Sequence, residues 1–204
     1  MITIVDYGLG NIRAFLNVYR RLNVEVKTAT TAEDLRDASK VILPGVGAFD
    51  HAMERLAASG MRETLDDLAL RRRVPILGVC VGMQILGRGS DEGQLPGLGW
   101  IDARVKALGS LMAGETLPVP HMGWNDVRPV SRTRLFDGLD REARFYFLHS
   151  YYFQCAREED AIAVASYGRD FACAANAANV YGVQFHPEKS HHYGARLLQN
   201  FAEM

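Results

Sequence analysis

Pro75-Ile76-Leu77-Gly78-Val79-Cys80-Val81-Gly82-Met83-Gln84-Ile85-Leu86 is the stretch from which the fold is read. An apolar strand, Pro75–Val79, enters a Gly-x-Cys-x-Gly turn and leaves it as helical Met83-Gln84-Ile85-Leu86. This pattern is the cysteine form of a nucleophile elbow. A sharp strand-to-helix turn brings backbone segments close together, where a Cβ would obstruct them. The elbow lifts the sulfur above the carboxyl edge of a sheet, where open α/β sheets place their sites. It also seats the sulfur at a helix N-terminus, which favours thiolate. Taken alone, the motif fits a catalytic nucleophile or a buried cysteine in a tight turn.

Outward from this turn, the first half alternates short apolar runs with helical periodicity. Strands are expected at Ile2–Val5, Val24–Val26 and Val41–Leu43, the last ended by Pro44-Gly45. Asn11 caps a helix through Arg21, with Ile12, Phe15, Leu16 and Tyr19 on one face. Further helices are expected over Glu33–Ala38 and roughly Asp50–Leu70. Nearly all-apolar strands alternating with helices predict a mostly parallel central sheet flanked by helices. From Leu98 to Val183 the strand candidates crowd together: Ala103–Val105, Leu117–Pro120, Arg144–Leu148, Ala161–Tyr167, Phe171–Ala174 and Val180–Phe185. This crowding predicts an antiparallel extension of the sheet. A last helix is expected over Tyr193–Glu203. No linker or repeat divides the chain, so residues 1–204 read as one α/β domain.

Composition narrows the class of function. Lys and Arg number 23 against 24 Asp and Glu, a formal net charge of −1. A nucleic-acid binder would usually carry a basic surplus. With 48% apolar residues in 204 the chain can bury a core. No apolar run is long enough to span a bilayer. The amino terminus carries no signal-peptide pattern, so a cytoplasmic protein is expected. Cys80, Cys155 and Cys173 are an odd set without C-x-x-C spacing, which argues against a disulfide framework or zinc ribbon. Arg71-Arg72-Arg73 reads as a solvated helix end.

Two more segments bear on chemistry. Gln184-Phe185-His186-Pro187-Glu188 ends an apolar run. A cysteine nucleophile needs a base, and the base needs an orienting group. His186 and Glu188 are two apart, hence on one side of an extended segment. Alone, the segment reads as a satisfied histidine beside a surface glutamate. Beside Gly-x-Cys-x-Gly, the catalytic reading is better. Pro44-Gly45-Val46-Gly47 also follows a strand and belongs at the same sheet edge, where backbone N–H groups can meet an oxyanion. Asp6-Tyr7-Gly8-Leu9-Gly10-Asn11 lacks the third glycine of a dinucleotide loop. His186, Glu188, His191 and His192 do not match the H-E-x-x-H zinc pattern, so no metal is expected.

Pro-Gly-Val-Gly, Gly-x-Cys-x-Gly-Met-Gln and Gln-Phe-His-Pro-Glu, in this order, resemble the class I (triad) glutamine amidotransferases. Asp6-Tyr7-Gly8 with Gly10-Asn11, His121-Met122-Gly123-Trp124-Asn125 and His186-Pro187-Glu188-Lys189-Ser190 narrow the resemblance to glutaminase subunits of imidazole glycerol phosphate synthases. It runs from residue 2 to about 201. The resemblance implies that Cys80 attacks the glutamine amide, that His186 is general base and acid, and that Glu188 orients it. It implies Val81 as one oxyanion donor, with Val46 and Gly47 supplying the other after a peptide flip. Gly45, Gln84, Ser150 and Tyr151 match substrate-holding positions. Trp124, Asn125 and Lys189 match the face toward a cyclase partner in a heterodimer. No cofactor, nucleic acid or membrane is implied. Ala14 stands where Ser is common, and Val81 where Leu is common; the triad is intact. Rival readings are another triad glutaminase, such as a pyridoxal phosphate or anthranilate synthase subunit, a regulatory module keeping the fold, and a stand-alone cysteine hydrolase.

Overall fold

The computed structural model describes residues 1–111, 117–139 and 142–204. The first half contains β1 (Ile2–Val5), α1 (Ile12–Arg21), β2 (Val26–Ala29), α2 (Ala32–Leu35), β3 (Val41–Gly45), α3 (Phe49–Ala58), α4 (Arg62–Asp66), β4 (Ile76–Cys80) and α5 (Val81–Gln84). The second half contains β5 (Ala103–Ala107), β6 (His121–Asp126), β7 (Arg128–Pro129), β8 (Arg144–His149), β9 (Tyr151–Cys155), β10 (Ala161–Tyr167), β11 (Arg169–Ala177), β12 (Val180–Val183) and α6 (His191–Glu203).

Eight strands form one sheet in the order β2-β1-β3-β4-β12-β11-β10-β7. The pairs from β2 through β12 are parallel, and those from β12 through β7 are antiparallel. The expected mixed α/β sheet, parallel first and antiparallel later, is the sheet observed. Every residue of β1, β3 and β4 is buried, as strands covered on both faces must be. Two smaller antiparallel ladders, β5–β9 and β6–β8, stand beside the main sheet. Around them Phe145, Phe147 and Phe185 pack ring to ring, with centroids 4.1 and 5.6 Å apart.

Several boundaries differ from the sequence reading, each for a local reason. Val24 is used by the end of α1, its N–H bonding the Tyr19 carbonyl, so β2 starts later. The expected 50–70 helix breaks at Gly60, whose φ is +70°, and resumes as α4 followed by a wider turn over Asp67–Arg71. β3 runs on through Pro44 and Gly45, which sit opposite Val79 and Cys80. Leu117–Pro120 is not a strand: its two prolines lack the N–H a ladder needs. β6, β7 and β9 were not anticipated. β8 and β9 are separated only by Ser150, where the chain leaves the β6 ladder and joins β5.

The site follows from register. β3, β4 and β12 are adjacent and parallel, so their carboxyl ends lie together. Val183 pairs with Val79, and Gly45 pairs with Cys80. The residues just after β12 and β3, Gln184-Phe185-His186 and Val46-Gly47, are therefore delivered beside Cys80.

Candidate active site

Cys80 ends β4 at φ +55° and ψ −115°, backbone angles that non-glycine residues rarely hold. Its neighbours make the turn possible. A Cβ on Gly82 would collide with the Leu43 carbonyl oxygen, and one on Gly78 would come within 2.6 Å of the Gly82 oxygen. Cys80 thus sits where β3 passes close against the start of α5. Its sulfur faces the Leu148 carbonyl at 3.9 Å and the side-chain amide nitrogen of Gln184 at 3.7 Å.

His186 and Glu188 are both nearly enclosed, at 4% and 2% side-chain exposure, with His186 Nδ1 2.9 Å from Glu188 Oε1. Burial pulls the imidazole pKa down. Hydrogen bonds to Cys80 and Glu188, and their negative charge, more than reverse this and raise it to about 9. An imidazole held cationic in this way keeps a proton ready for a leaving group.

A fixed turn presents this pair. The His186 N–H donates to the Tyr146 carbonyl at 2.9 Å. The Ser190 hydroxyl donates to the His186 carbonyl at 2.6 Å and accepts the Tyr146 N–H at 3.0 Å. Ser190, the last residue of His-Pro-Glu-Lys-Ser, thus holds the turn closed with its buried hydroxyl.

These groups open on a cleft of about 290 Å³, lined in part by Val46, Gly47, Cys80, Gln84, Ser150 and Tyr151. That volume is at the small end for ligand sites, suited to an amino acid rather than a nucleotide. Val81, His186 and Lys189 also line it. Gly45 does not; it lies beneath, where a Cβ would press on the Gly82 backbone nitrogen. Trp124 and Asn125 lie off the cleft on β6, with Trp124 stacked on His191 at 5.1 Å. Lys189 Nζ is 5.7 Å from the Tyr146 ring centre.

The sequence reading missed the lining residues Glu92, Pro120, Leu148 and His149, and the buried Gln184 beside the sulfur. Gln184 is fully buried and accepts from Gln84 Nε2 at 3.0 Å. Its place directly before Phe185-His186 was the available signal. Glu92 brings a carboxylate to the cleft mouth, anchored by the Phe49 N–H at 2.9 Å; nothing in its local sequence marked it.

Residues 3–204 match the family model described as glutamine amidotransferase class-I. The chain is 58% identical, over all of both chains, to the imidazole glycerol phosphate synthase subunit HisH of Bdellovibrio bacteriovorus. The chain belongs to the HisH branch of the class-I glutamine amidotransferases. The HisH of Leptospira borgpetersenii is 50% identical, again over the whole of both. Among solved structures, a glutamine amidotransferase superposes with a TM-score of 0.76 at 20% identity, covering 99% of this chain and 97% of that one. A class-I amidotransferase sheet thus carries the elbow, the histidine turn and the cleft of this HisH-family chain.

Proposed function

We propose that residues 1–204 act as one glutaminase domain, using Cys80, His186 and Glu188 to hydrolyse L-glutamine. The chain is the glutaminase subunit of an imidazole glycerol phosphate synthase, in histidine biosynthesis. The observation that carries the chemistry is the meeting of an elbow cysteine and a buried His–Glu pair at one edge of a small cleft.

The Cys80 thiolate attacks the side-chain amide carbon. The Val81 N–H, first in α5 and without an intrahelical acceptor, faces the developing oxyanion. The second donor comes from Val46 or Gly47. Collapse of the adduct breaks the C–N bond, and His186 passes its proton to the departing nitrogen, releasing ammonia. A γ-glutamyl thioester remains on Cys80. His186, now neutral, takes a proton from water, whose oxygen attacks the thioester and frees glutamate and the thiolate. Glu188 keeps the imidazole oriented and compensates its charge. Gln84, Ser150 and Tyr151 hold the substrate, Glu92 offers a carboxylate to its α-ammonium, and Gly45 backs the oxyanion strand.

The partner we propose is the cyclase subunit, which takes the ammonia and makes imidazole glycerol phosphate and a carboxamide ribonucleotide. Met122, Trp124 and Leu148 expose large apolar surface on the β6–β8 ladder. Leu148 also lines the cleft, so this face adjoins the site of ammonia release. Trp124, Asn125 and Lys189 belong to this docking region.

The test is glutamate release from L-glutamine by the chain alone, then with the cyclase subunit and its nucleotide ligand, beside Cys80→Ala. Cys80-dependent release in the complex is expected. Glutamate release that persists in Cys80→Ala would remove the nucleophile assignment. The complex of the variant should still use added ammonia.

A further inference from the structure

His121 and His149 carry no part in the hydrolysis above, yet both are buried, at 4% and 6% exposure. His149 Nδ1 lies 2.8 Å from the Tyr151 carbonyl, and its Nε2 lies 2.9 Å from His121 Nδ1. His121 Nε2 lies 3.2 Å from Asn125 Nδ2, which also reaches the Ser166 carbonyl at 2.8 Å. Asn125 Oδ1 accepts the Asp126 N–H at 2.8 Å, which sets the orientation of the amide.

The roles along this chain follow without freedom. A carbonyl only accepts, so His149 Nδ1 carries a proton. A neutral His149 then accepts at Nε2, and His121 Nδ1 must donate. His121 Nε2 is left as an acceptor, which the Asn125 amide satisfies with one N–H while giving the other to Ser166. Adding a proton to either imidazole sets two donors against each other. Burial agrees, holding the His121 pKa near 4 and that of His149 near 3. Stacked Phe147 and Tyr167, at 4.8 and 4.2 Å, fix the His121 ring. Beyond Tyr151, Gln84 Nε2 donates to the same carbonyl at 3.4 Å and to Gln184 Oε1, and Gln184 in turn reaches the Cys80 sulfur.

We propose that His149 and His121 are positioning residues of the glutaminase site. Both are held as neutral Nδ1–H tautomers, and they fix the Tyr151 carbonyl in the cleft wall against Asn125 on β6. The kinetic part rests on the glutaminase reading; the tautomers do not. The chain thereby ties the substrate-facing wall to the strand that carries Trp124. It acts on substrate binding through the placement of Ser150 and Tyr151, not on the bond-breaking step.

The first test is heteronuclear NMR of the full chain with labelled histidines, assigned with His121→Asn and His149→Asn. Both rings should be neutral at neutral pH with the proton on Nδ1. A proton on Nε2 of either, or a charged ring, overturns the proposal. The second test is glutamine kinetics in the complex with the cyclase subunit. A carbonyl left with only the long bond from Gln84 holds the wall less firmly, so His149→Leu should raise KM roughly tenfold with a much smaller change in kcat. His149→Asn keeps a donor at the Nδ1 position and should recover most of that loss. Equal impairment of both variants, a fall in kcat at unchanged KM, or no change in KM overturns it. A His149→Leu chain that does not fold leaves the tautomers and His149→Asn to decide. If the wild-type complex itself releases no glutamate, the glutaminase reading fails while the NMR result stands.

Discussion

Cys80 holds a backbone conformation that costs energy for any residue with a Cβ, and two glycines beside it make the turn possible. The Gly-x-Cys-x-Gly spacing was legible because sterics demand those glycines. Gly82→Ala should therefore lower stability by about 1–3 kcal/mol, read as a shift in denaturant midpoint, because its methyl meets the Leu43 carbonyl. The His186–Glu188 pairing was expected from an extended two-residue step, but a 3₁₀ turn over Pro187–Lys189 is what brings Glu188 to His186. The strength of the pairing was not legible, because it depends on burial and on the approach of Cys80. With the imidazole pKa raised to about 9, the imidazolium is lost as pH rises through that value. Glu188→Gln removes one of the causes that raise it. The alkaline limb of kcat/KM should then move to lower pH, and kcat should fall by about 10²–10⁴, as measured by glutamate release across pH. An unmoved limb would separate Glu188 from the titration of His186.

Turns and strand ends, more than strand interiors, carry the site. The turn after β12 is closed by Ser190, which bonds both the His186 carbonyl and the Tyr146 N–H. Ser190→Ala should cost about 1–2 kcal/mol in urea unfolding and lower kcat more than it raises KM, because it loosens the histidine rather than the substrate wall. Asn200 ties α6 to the 134–137 turn through the Leu135 and Asp137 carbonyls, at 3.0 and 2.7 Å. Asn200→Leu strips the Leu135 carbonyl of its donor and leaves the Asp137 carbonyl only the bond from Arg196 Nε, and should destabilise by about 1–3 kcal/mol at nearly unchanged KM. β1, β3 and β4 were read to within two residues, because burial on both faces leaves an unbroken hydrophobic run, whereas the half-exposed β2 overlaps its expected range only at Val26. β6 was not anticipated, although its residues were quoted. His-Met-Gly-Trp-Asn-Asp has no simple alternation, contains Gly123 at φ +130°, and becomes a strand only by pairing with β8. Leu117–Pro120 shows the converse, a run that resembles a strand and cannot ladder.

Three buried histidines give the molecule a pH signature. His186 has its pKa raised from 6.5, so its contribution to stability is complete below 6.5 and lost as pH climbs toward about 9. His121 and His149 have theirs lowered from 6.5, so below 6.5 the unfolded chain takes up protons that the folded chain refuses. Stability should crest near pH 6.5 and fall on either side, as read from denaturant midpoints across pH. In His121→Asn the acid-side fall should be shallower; an identical slope would show that His121 does not titrate as described. No helix among the described residues is long and apolar enough to cross a membrane. The exposed Met122, Trp124 and Leu148 instead leave an apolar face beside the cleft. Residue types and local spacing were enough for the parallel sheet, the elbow that holds Cys80 and the pairing of His186 with Glu188, because these rest on sterics and periodicity within a few neighbours. The cleft wall required the folded chain. Gln184 beside the sulfur, Glu92 at the mouth, and the His149–His121–Asn125 chain join residues far apart in sequence. Their protonation and hydrogen-bond roles exist only once the β6–β8 ladder is packed against the main sheet and water is excluded.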